Sequence, residues 1–375
     1  MFQFKQYDFK RINISLFLTV VLLSGMGTFL VRLAQAEGEN LFKKQILGVI
    51  FGLLIVIIVS LIDYHFICEF YIILYLINFG LLLAVKLVGI EINHSQRWLD
   101  LKITTIQPSE FSKVIMILVM AKLFTMLKSK MNKFYVLVLT GIIMAIPTLL
   151  ILTQTNLSTS MVLMFIFAIM IFSAGLSYKI ILPLIIIGVP SIMGLFWYVQ
   201  QDYQAILTQY QQTRVLSFLN PSLDASVNTM YQQDNSIQVI GSGKLAGKLL
   251  TEGINSIQSD TFVPISESDF IFSVIGESLG FIGGCVIIML LAFIIYQCLK
   301  IAQNASDRLG MLIATGVASM FMFQVFVNIG VATAILPNTG LPLPFVSYGL
   351  SSLMSSMIAI GLVLNISLQR RKKRG

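Results

Sequence analysis

Residues Cys285 to Tyr296 read CVIIMLLAFIIY, an apolar run without a single charged side chain. Two further runs, Val49 to Val59 and Met161 to Phe172, have the same character. A helix on the core of a soluble protein would interrupt such runs with polar side chains at a period of about 3.6 residues. A membrane-spanning helix instead needs about 20 mostly apolar residues. These stretches therefore predict helices that cross a membrane.

The overall composition leads to the same conclusion. Of the 375 residues, 57% are hydrophobic and 11% are charged, whereas a soluble domain carries roughly 25% charged residues. The formal net charge is +8, but the basic residues form short clusters between apolar runs, which indicates membrane topology rather than nucleic-acid binding. The three cysteines lie in or beside predicted spans, and His65 and His94 are far apart, so we expect neither a disulfide framework nor a structural metal site.

Ten apolar stretches are long enough to cross a membrane. Their predicted limits are 12–33, 45–63, 67–90, 107–127, 134–153, 157–177, 180–199, 269–297, 310–335 and 345–367. Lysine and arginine concentrate at both termini and in alternate gaps, and the positive-inside rule assigns that side to the cytoplasm. We therefore predict an all-α membrane protein with both termini cytoplasmic. Residues 1–375 form one transmembrane domain, in which residues 200–268 are a large extracellular loop, between helices 7 and 8, packed on the outer face.

Ionisable side chains at membrane depth mark the first candidate site, since each costs about 2.5–3.5 kcal/mol to insert. Pro108 suits the first turn of a helix, and Glu110 and Lys113 then share one face of that helix. Two interpretations are open: a self-neutralising pair that fixes the helix, or the charged floor of a polar cavity. Arg97, beside Trp98, is typical of an interface anchor with a donor left for a phosphate.

Two carboxylates mark the second candidate site, where the long polar segment meets the eighth predicted span. Asp269 lies at this boundary, and Glu277 is about 12 Å deeper at roughly 1.5 Å per residue. Either Ser268 or Asp269 could cap the helix, but capping does not explain Glu277. A carboxylate beside apolar walls can have a raised pKa and act as a general base.

Irregular backbone marks the third candidate site. Residues 338–349 read NTGLPLPFVSYG, and residues 241–244 in the long polar segment read GSGK. Non-helical backbone at membrane depth is tolerated only where it is buried in protein or lines a cavity. Together the two stretches predict a polar chamber open to the outer side. The GSGK stretch lacks the spacing of a nucleotide P-loop, so an ATP-driven transporter is not indicated.

Five blocks of the sequence resemble the signatures of the RodA/FtsW family, the shape, elongation, division and sporulation (SEDS) proteins. The blocks are QPSEFSK at 107–113, FLNP at 218–221, IGSG at 240–243, SDFIFSVIGE at 268–277 and TGLPLPFVSYGLSS at 339–352. They follow the family's order over nearly the whole chain, together with the expected number of spans. The short tails resemble the RodA branch.

This resemblance implies a peptidoglycan glycosyltransferase that polymerises lipid II on the outer face of the bacterial cytoplasmic membrane during cell elongation and shape maintenance. It also implies a class B penicillin-binding protein as partner, alongside lipid II, undecaprenyl pyrophosphate and membrane lipids. The family's essential aspartate corresponds to Asp269, which we expect to be the catalytic base. Substrate contacts, several to the departing pyrophosphate, are expected from Arg97, Glu110, Lys113, Arg214, Lys244, Glu277 and Ser347. A divalent cation, Mg²⁺ or Mn²⁺, could share the phosphate contacts, although no ligand set is evident.

The chain departs from the family pattern before the sixth span. Residues 154–159 read QTNLST, with Asn156 at the position of the family's acidic residue. This change keeps open a non-catalytic scaffold for the penicillin-binding protein. A lipid II flippase is the other alternative, for which inverted repeats and broken helices near mid-membrane would be typical. The charged and irregular features cluster on the outer side only, which favours the glycosyltransferase.

Overall fold

The computed structural model describes residues 7–8, 12–35, 40–92, 95–100, 102, 105–201, 212, 216, 231–253, 256–257, 263–264 and 266–369. Ten α-helices of 17 or more residues, three shorter α-helices and one 3₁₀ helix (Lys128–Lys130) lie in these ranges; only the α-helices are numbered. In chain order they are α1 (Ile14–Ala34), α2 (Leu41–Leu61), α3 (Tyr64–Glu69), α4 (Tyr71–Val88), α5 (Pro108–Met126), α6 (Phe134–Thr153), α7 (Leu157–Ser173), α8 (Tyr178–Val199), α9 (Tyr231–Ser242), α10 (Lys248–Thr251), α11 (Ile271–Gln303), α12 (Arg308–Ala332) and α13 (Leu350–Leu368).

The predicted ten-span architecture is confirmed, because each predicted span overlaps one of the ten long helices. Seven of these helices are long and apolar enough to cross a membrane by themselves, namely α1, α2, α4, α6, α11, α12 and α13. Near the termini, the Asp8 backbone N–H donates to the Leu368 carbonyl at 2.8 Å. The first and last described residues of the chain therefore lie at the same end of the bundle, which we call the inner end; the opposite end is the outer end.

The mostly helical fold has one addition that the sequence did not predict, a small antiparallel sheet at the outer end. Its strands are β1 (Ile90–Ile92), β2 (Ser95–Asp100) and β3 (Thr105–Ile106), in the order β1-β2-β3. Ile90 pairs with Trp98, and Leu99 pairs with Ile106. Strands this short show too little alternation of polar and apolar residues to be recognised from sequence. The sheet places Arg97 and Trp98 on its central strand.

The core of the bundle lies around α12 and α13, whose apolar side chains are mostly buried, whereas those of α4 mostly face outward. Helix α13 packs closely against α2 through glycines. A Cβ added at Gly48 would lie 2.6 Å from the Leu350 side chain, and one at Gly52 would lie 2.8 Å from the Met357 side chain. Small residues let membrane helices approach this closely and gain dispersion contacts. Because α13 begins where residues 338–349 end, this packing also fixes the outer turn.

Helix α11 is interrupted at Gly280, which has φ 65° and ψ −167°. At this break the N–H groups of Phe281 and Ile282 donate to the carbonyls of Lys244 and Leu245, at 3.0 and 3.2 Å. The turn between α9 and α10 thus supplies acceptors that the helix itself does not provide. Such pairing is necessary at membrane depth, where unsatisfied backbone groups cost several kcal/mol.

Replacing Gly280 by Ala should lower the melting temperature of the detergent-solubilised protein. The left-handed backbone conformation disfavours a side chain, and the new Cβ would lie 2.4 Å from Gly247 N and 2.6 Å from Leu245 O. The matched control is Gly80→Ala on α4, because a Cβ there meets no atom within 4 Å. Equal melting temperatures for the two variants would contradict this account of the break.

Side chains from several elements meet at the inner end. His65 contacts Asp63 Oδ1 through Nδ1 and Asp307 Oδ2 through Nε2, both at 2.9 Å. The Tyr64 hydroxyl donates to Asp307 Oδ1 at 2.6 Å. Burial alone would lower the pKa of His65, but its hydrogen bonds to the two aspartates and their negative charges outweigh burial and raise this pKa. For Asp307, burial raises the pKa, but hydrogen bonds from His65, Tyr64 and a backbone N–H outweigh it and lower the pKa.

This cluster should make stability depend on pH. A raised histidine pKa contributes stability that is fully present below the unfolded-state value of about 6.5 and is lost as pH rises through the folded-state pKa. The difference in melting temperature between wild type and His65→Gln should therefore be largest near pH 6 and shrink towards pH 8.5. Thermal unfolding in detergent across this range measures it. A difference that stays constant with pH would show that the His65 charge is not involved.

Candidate active site

Asp269 lies at the outer end, half-buried, two residues before α11 begins. The N-cap residue of α11 is Phe270, whose side chain makes no capping hydrogen bond. Asp269 is therefore not the N-cap residue of this helix. The carboxylate accepts a hydrogen bond from Ser268 Oγ at 3.2 Å. It also lies against Gly340, where an added Cβ would be 3.0 Å from Asp269 Oδ2.

The outer turn, residues 339–349, packs directly on the segment that carries Asp269. The Tyr348 N–H donates to the Glu267 carbonyl at 2.7 Å. Ser347 Oγ donates to the Ser268 carbonyl at 2.5 Å and accepts from the Leu343 N–H at 2.8 Å. Ser347 was predicted to contact substrate. In this structure its hydroxyl instead hydrogen-bonds to two backbone groups, which holds the outer turn against the Asp269 segment.

Asn328 on α12 connects Asp269 to the outer turn. Its Nδ2 donates to the Asp269 carbonyl at 2.9 Å and to the Leu341 carbonyl at 2.7 Å. The side chain is only 1% exposed. Sequence reasoning missed this residue. The available signal was a carboxamide in a largely apolar span, where a polar side chain needs a partner.

Glu110 and Lys113, which the sequence places on one face of a helix, form an ion pair. Lys113 Nζ lies 2.8 Å from Glu110 Oε2, and the two side chains are 0% and 3% exposed. Near the start of α5, the Gln107 N–H donates to Ser351 Oγ of α13 at 3.0 Å. The pair therefore neutralises itself inside the protein, at the outer end of a helix that is joined to α13.

Arg97 joins the small sheet to the start of α7. Its Nη2 donates to the Thr155 carbonyl at 2.5 Å. Asn156, which replaces the family's acidic residue, caps α7 by accepting from the Thr159 N–H at 3.2 Å. Its Nδ2 also donates to Ser109 Oγ at 3.4 Å, which links α7 to α5. In this chain Asn156 therefore has a structural role that needs no negative charge.

Glu277 lies deeper on α11 and pairs with a lysine that the sequence analysis did not select. Lys248 Nζ is 3.0 Å from Glu277 Oε1, and the two side chains are 5% and 1% exposed. The predicted Lys244 has an exposed side chain and contributes its backbone carbonyl to the break in α11. Arg214 lies outside the described residues.

Two glycines allow the turn between α9 and α10 to reach α11. A Cβ at Gly243 would lie 1.9 Å from the Gly276 carbonyl oxygen, and one at Gly247 would lie 2.2 Å from the Ser278 carbonyl oxygen. Contacts this short exclude any side chain at either position. The approach of the two backbones places Lys248 beside Glu277.

Several of the predicted site residues are thus connected at the outer end. Ser158 Oγ at the start of α7 donates to the Thr339 carbonyl, which joins the group around Arg97 and Glu110 to the turn that contacts Asp269. Glu277 lies further inward, on the half of α11 that begins beside Asp269. The arrangement presents the half-buried Asp269 carboxylate beside structured backbone, which suits the transfer of a proton from a bound hydroxyl.

Comparison with known proteins shows the family of the chain. The family model for cell cycle proteins of the FtsW, RodA and SpoVE type matches residues 9–372. Stage V sporulation protein E of Bacillus subtilis is 32% identical over 368 residues, which cover 95% of this chain and 96% of that protein. Peptidoglycan glycosyltransferase MrdB of Escherichia coli K12 is 31% identical over 368 residues, which cover 97% of this chain and 96% of that protein.

A solved structure shows the same fold. It comes from work on the structural coordination of polymerization and crosslinking by a peptidoglycan synthase complex, and it matches with a TM-score of 0.78 at 25% identity. The match covers 96% of this chain and 97% of that one. The agreement in sequence and fold therefore extends over essentially the whole transmembrane bundle. The chain belongs to the FtsW, RodA and SpoVE family and is a multi-pass membrane protein and a peptidoglycan glycosyltransferase.

Proposed function

We propose that this chain polymerises lipid II into glycan strands on the outer face of the bacterial cytoplasmic membrane, with Asp269 as the general base. The observation that carries the proposal is the placement of Asp269. Its carboxylate is half-buried at the outer end beside Gly340, and its backbone carbonyl accepts a hydrogen bond from Asn328. A carboxylate held in this way at the outer end is suited to proton transfer.

The proposed reaction joins two lipid-linked sugars. The 4-hydroxyl oxygen of one sugar attacks the anomeric carbon of the other, so a new C–O bond forms while the bond to the pyrophosphate breaks. Asp269 takes the hydroxyl proton, and undecaprenyl pyrophosphate leaves with the electron pair of the broken bond. General bases of this kind typically contribute about 10²–10⁴-fold to a rate.

The departing pyrophosphate requires positive charge nearby. Arg97 is half-buried at the outer end, and Lys244 is exposed on the turn between α9 and α10, so both stay proposed phosphate contacts. Lys113 is neutralised by Glu110, and we assign the pair to supporting the site. The contact proposed for Arg214 has no structural support within the described ranges.

A divalent cation, Mg²⁺ or Mn²⁺, would be an additional source of positive charge. Within the described part of the chain, no three His, Cys, Asp or Glu side chains come together as a metal site. The described residues therefore offer no set of protein ligands for a divalent cation. No step of the proposed reaction depends on a bound cation.

We further propose a class B penicillin-binding protein as the partner that crosslinks the new strands during cell elongation and shape maintenance. The similar fold from a peptidoglycan synthase complex supports this pairing. Transport of lipid II is a second candidate, favoured by the break in α11 at Gly280, because interrupted helices are typical of transporters. Against transport, the turn around Lys244 and Leu245 satisfies the backbone at that break.

The test uses the chain purified with its class B penicillin-binding protein, whose transpeptidase has been inactivated. Lipid II is added, and the products are separated on a gel. A ladder of glycan chains supports the polymerase. No ladder from an intact complex would contradict it and favour the scaffold. Movement of fluorescent lipid II across vesicles that contain the chain, without a ladder, would favour transport instead.

A further inference from the structure

The segment that carries Asp269 is held by hydrogen bonds to three successive carbonyls. Glu267 accepts from the Tyr348 N–H at 2.7 Å, and Ser268 accepts from Ser347 Oγ at 2.5 Å. The third carbonyl, that of Asp269 itself, accepts from Asn328 Nδ2 at 2.9 Å. The first two donors belong to the outer turn, whereas Asn328 belongs to α12.

Asn328 hydrogen-bonds both to the segment that carries Asp269 and to the outer turn. A carboxamide nitrogen carries two hydrogens, and those of Asn328 go to the carbonyls of Asp269 and Leu341. The two acceptors determine which way the carboxamide points, and its burial keeps water from replacing it. Of the three donors that hold this segment, Asn328 is the one that bonds to the Asp269 carbonyl itself and also to the outer turn, through Leu341.

The helix itself does not provide this restraint. Helix α11 begins at Ile271, so Asp269 lies outside its hydrogen-bonded turns. Loss of the Asn328 donors would remove the hydrogen bonds to the Asp269 and Leu341 carbonyls, which would allow the segment to shift. A displacement of a reacting group by about 1 Å can cost about 100-fold in rate.

We propose that Asn328 is a positioning residue for the glycosyltransferase reaction, which fixes the Asp269 carboxylate against the outer turn for proton transfer. This inference rests on the proposed role of Asp269. It predicts an effect on the chemical step with little effect on substrate binding, because Asn328 acts through the backbone of Asp269.

The test compares Asn328→Leu with Asn365→Leu in the complete complex with the class B penicillin-binding protein. Asn365 is a control of the same type at the inner end: it is 0% exposed, its Nδ2 donates to the Tyr7 hydroxyl at 3.1 Å and to the Ser60 carbonyl at 2.7 Å, and its Oδ1 accepts from the Tyr64 N–H at 3.1 Å. Because Asn365 makes more hydrogen bonds than Asn328, Asn365→Leu should lose at least as much melting temperature as Asn328→Leu. Only Asn328→Leu should lower kcat for lipid II, by about 100-fold, with KM changed less than about threefold.

A second variant keeps the test informative if Asn328→Leu does not fold. Asn328→Ser retains one hydroxyl donor, and its kcat should lie between those of wild type and a variant without a donor. An unchanged kcat in either Asn328 variant, an equal loss in Asn365→Leu, or a loss confined to KM would overturn the inference. Asp269→Asn, assayed in parallel, distinguishes the two proposals. If Asp269→Asn is inactive and the Asn328 variants behave in one of these ways, only the role of Asn328 is contradicted. If Asp269→Asn is active, the proposed base itself is contradicted.

Discussion

Asp269→Asn is expected to reduce glycan polymerisation at least about 100-fold, since general bases contribute about 10²–10⁴-fold. Asparagine has nearly the same shape as aspartate but does not take up a proton. The backbone hydrogen bond from Asn328 Nδ2 does not depend on the substituted side chain, so the chain should still fold and insert. Initial rates of lipid II consumption in the complete complex, together with the product ladder, measure the effect.

The matched control is Asp234→Asn on α9, an exposed carboxylate in the same long segment between α8 and α11. It removes the same charge from the chain and should leave both rate and melting temperature unchanged. If Asp269→Asn polymerises at the wild-type rate, the base lies elsewhere. A fall in melting temperature for Asp269→Asn alone would instead indicate that the carboxylate has a structural role.

The transmembrane architecture could be predicted from sequence because it depends on local hydropathy. Each span can be recognised from about 20 neighbouring, mostly apolar residues, as in α11, which contains the run from Cys285 to Tyr296. The features that were missed depend on backbone pairing. The sheet at residues 90–106 has strands too short to show a pattern, and the break at Gly280 becomes stable only through the carbonyls of Lys244 and Leu245.

The site residues divide in the same way, into those that the local sequence reveals and those that depend on distant partners. Asp269, Glu110 and Lys113 could be selected because a charge at a membrane boundary is costly and therefore conspicuous. Asn328 and Lys248 give a weaker signal in the sequence, since their roles come from partners 59 and 29 residues away in the chain. Their partners are set by how α11 meets α12 and the turn after α9, which no local pattern encodes. Within the long polar segment, Lys244 and Lys248 look alike in the sequence, but in the fold Lys244 is exposed whereas Lys248 pairs with Glu277.

Lys113→Met is expected to be the most destabilising single substitution at the site. The pair is almost completely buried, and removal of the lysine would leave the Glu110 carboxylate without its counter-charge. Breaking a buried ion pair in this way typically costs about 3–5 kcal/mol, because one charge stays desolvated and unpaired. Thermal unfolding in detergent should show a clear loss. Lys122→Met, at a half-buried lysine on the same helix, is the control and should lose much less.

The double variant Glu110→Gln/Lys113→Met separates the two interpretations of the pair. Removal of both charges avoids the desolvation cost, so most of the lost stability should return. If the pair only fixes α5, polymerisation should return with stability. If its charges form the floor of a substrate cavity, the double variant should be stable but slow, with the loss in KM for lipid II. The burial of both side chains favours recovery of activity, because neither charge is open to a bound phosphate in this structure.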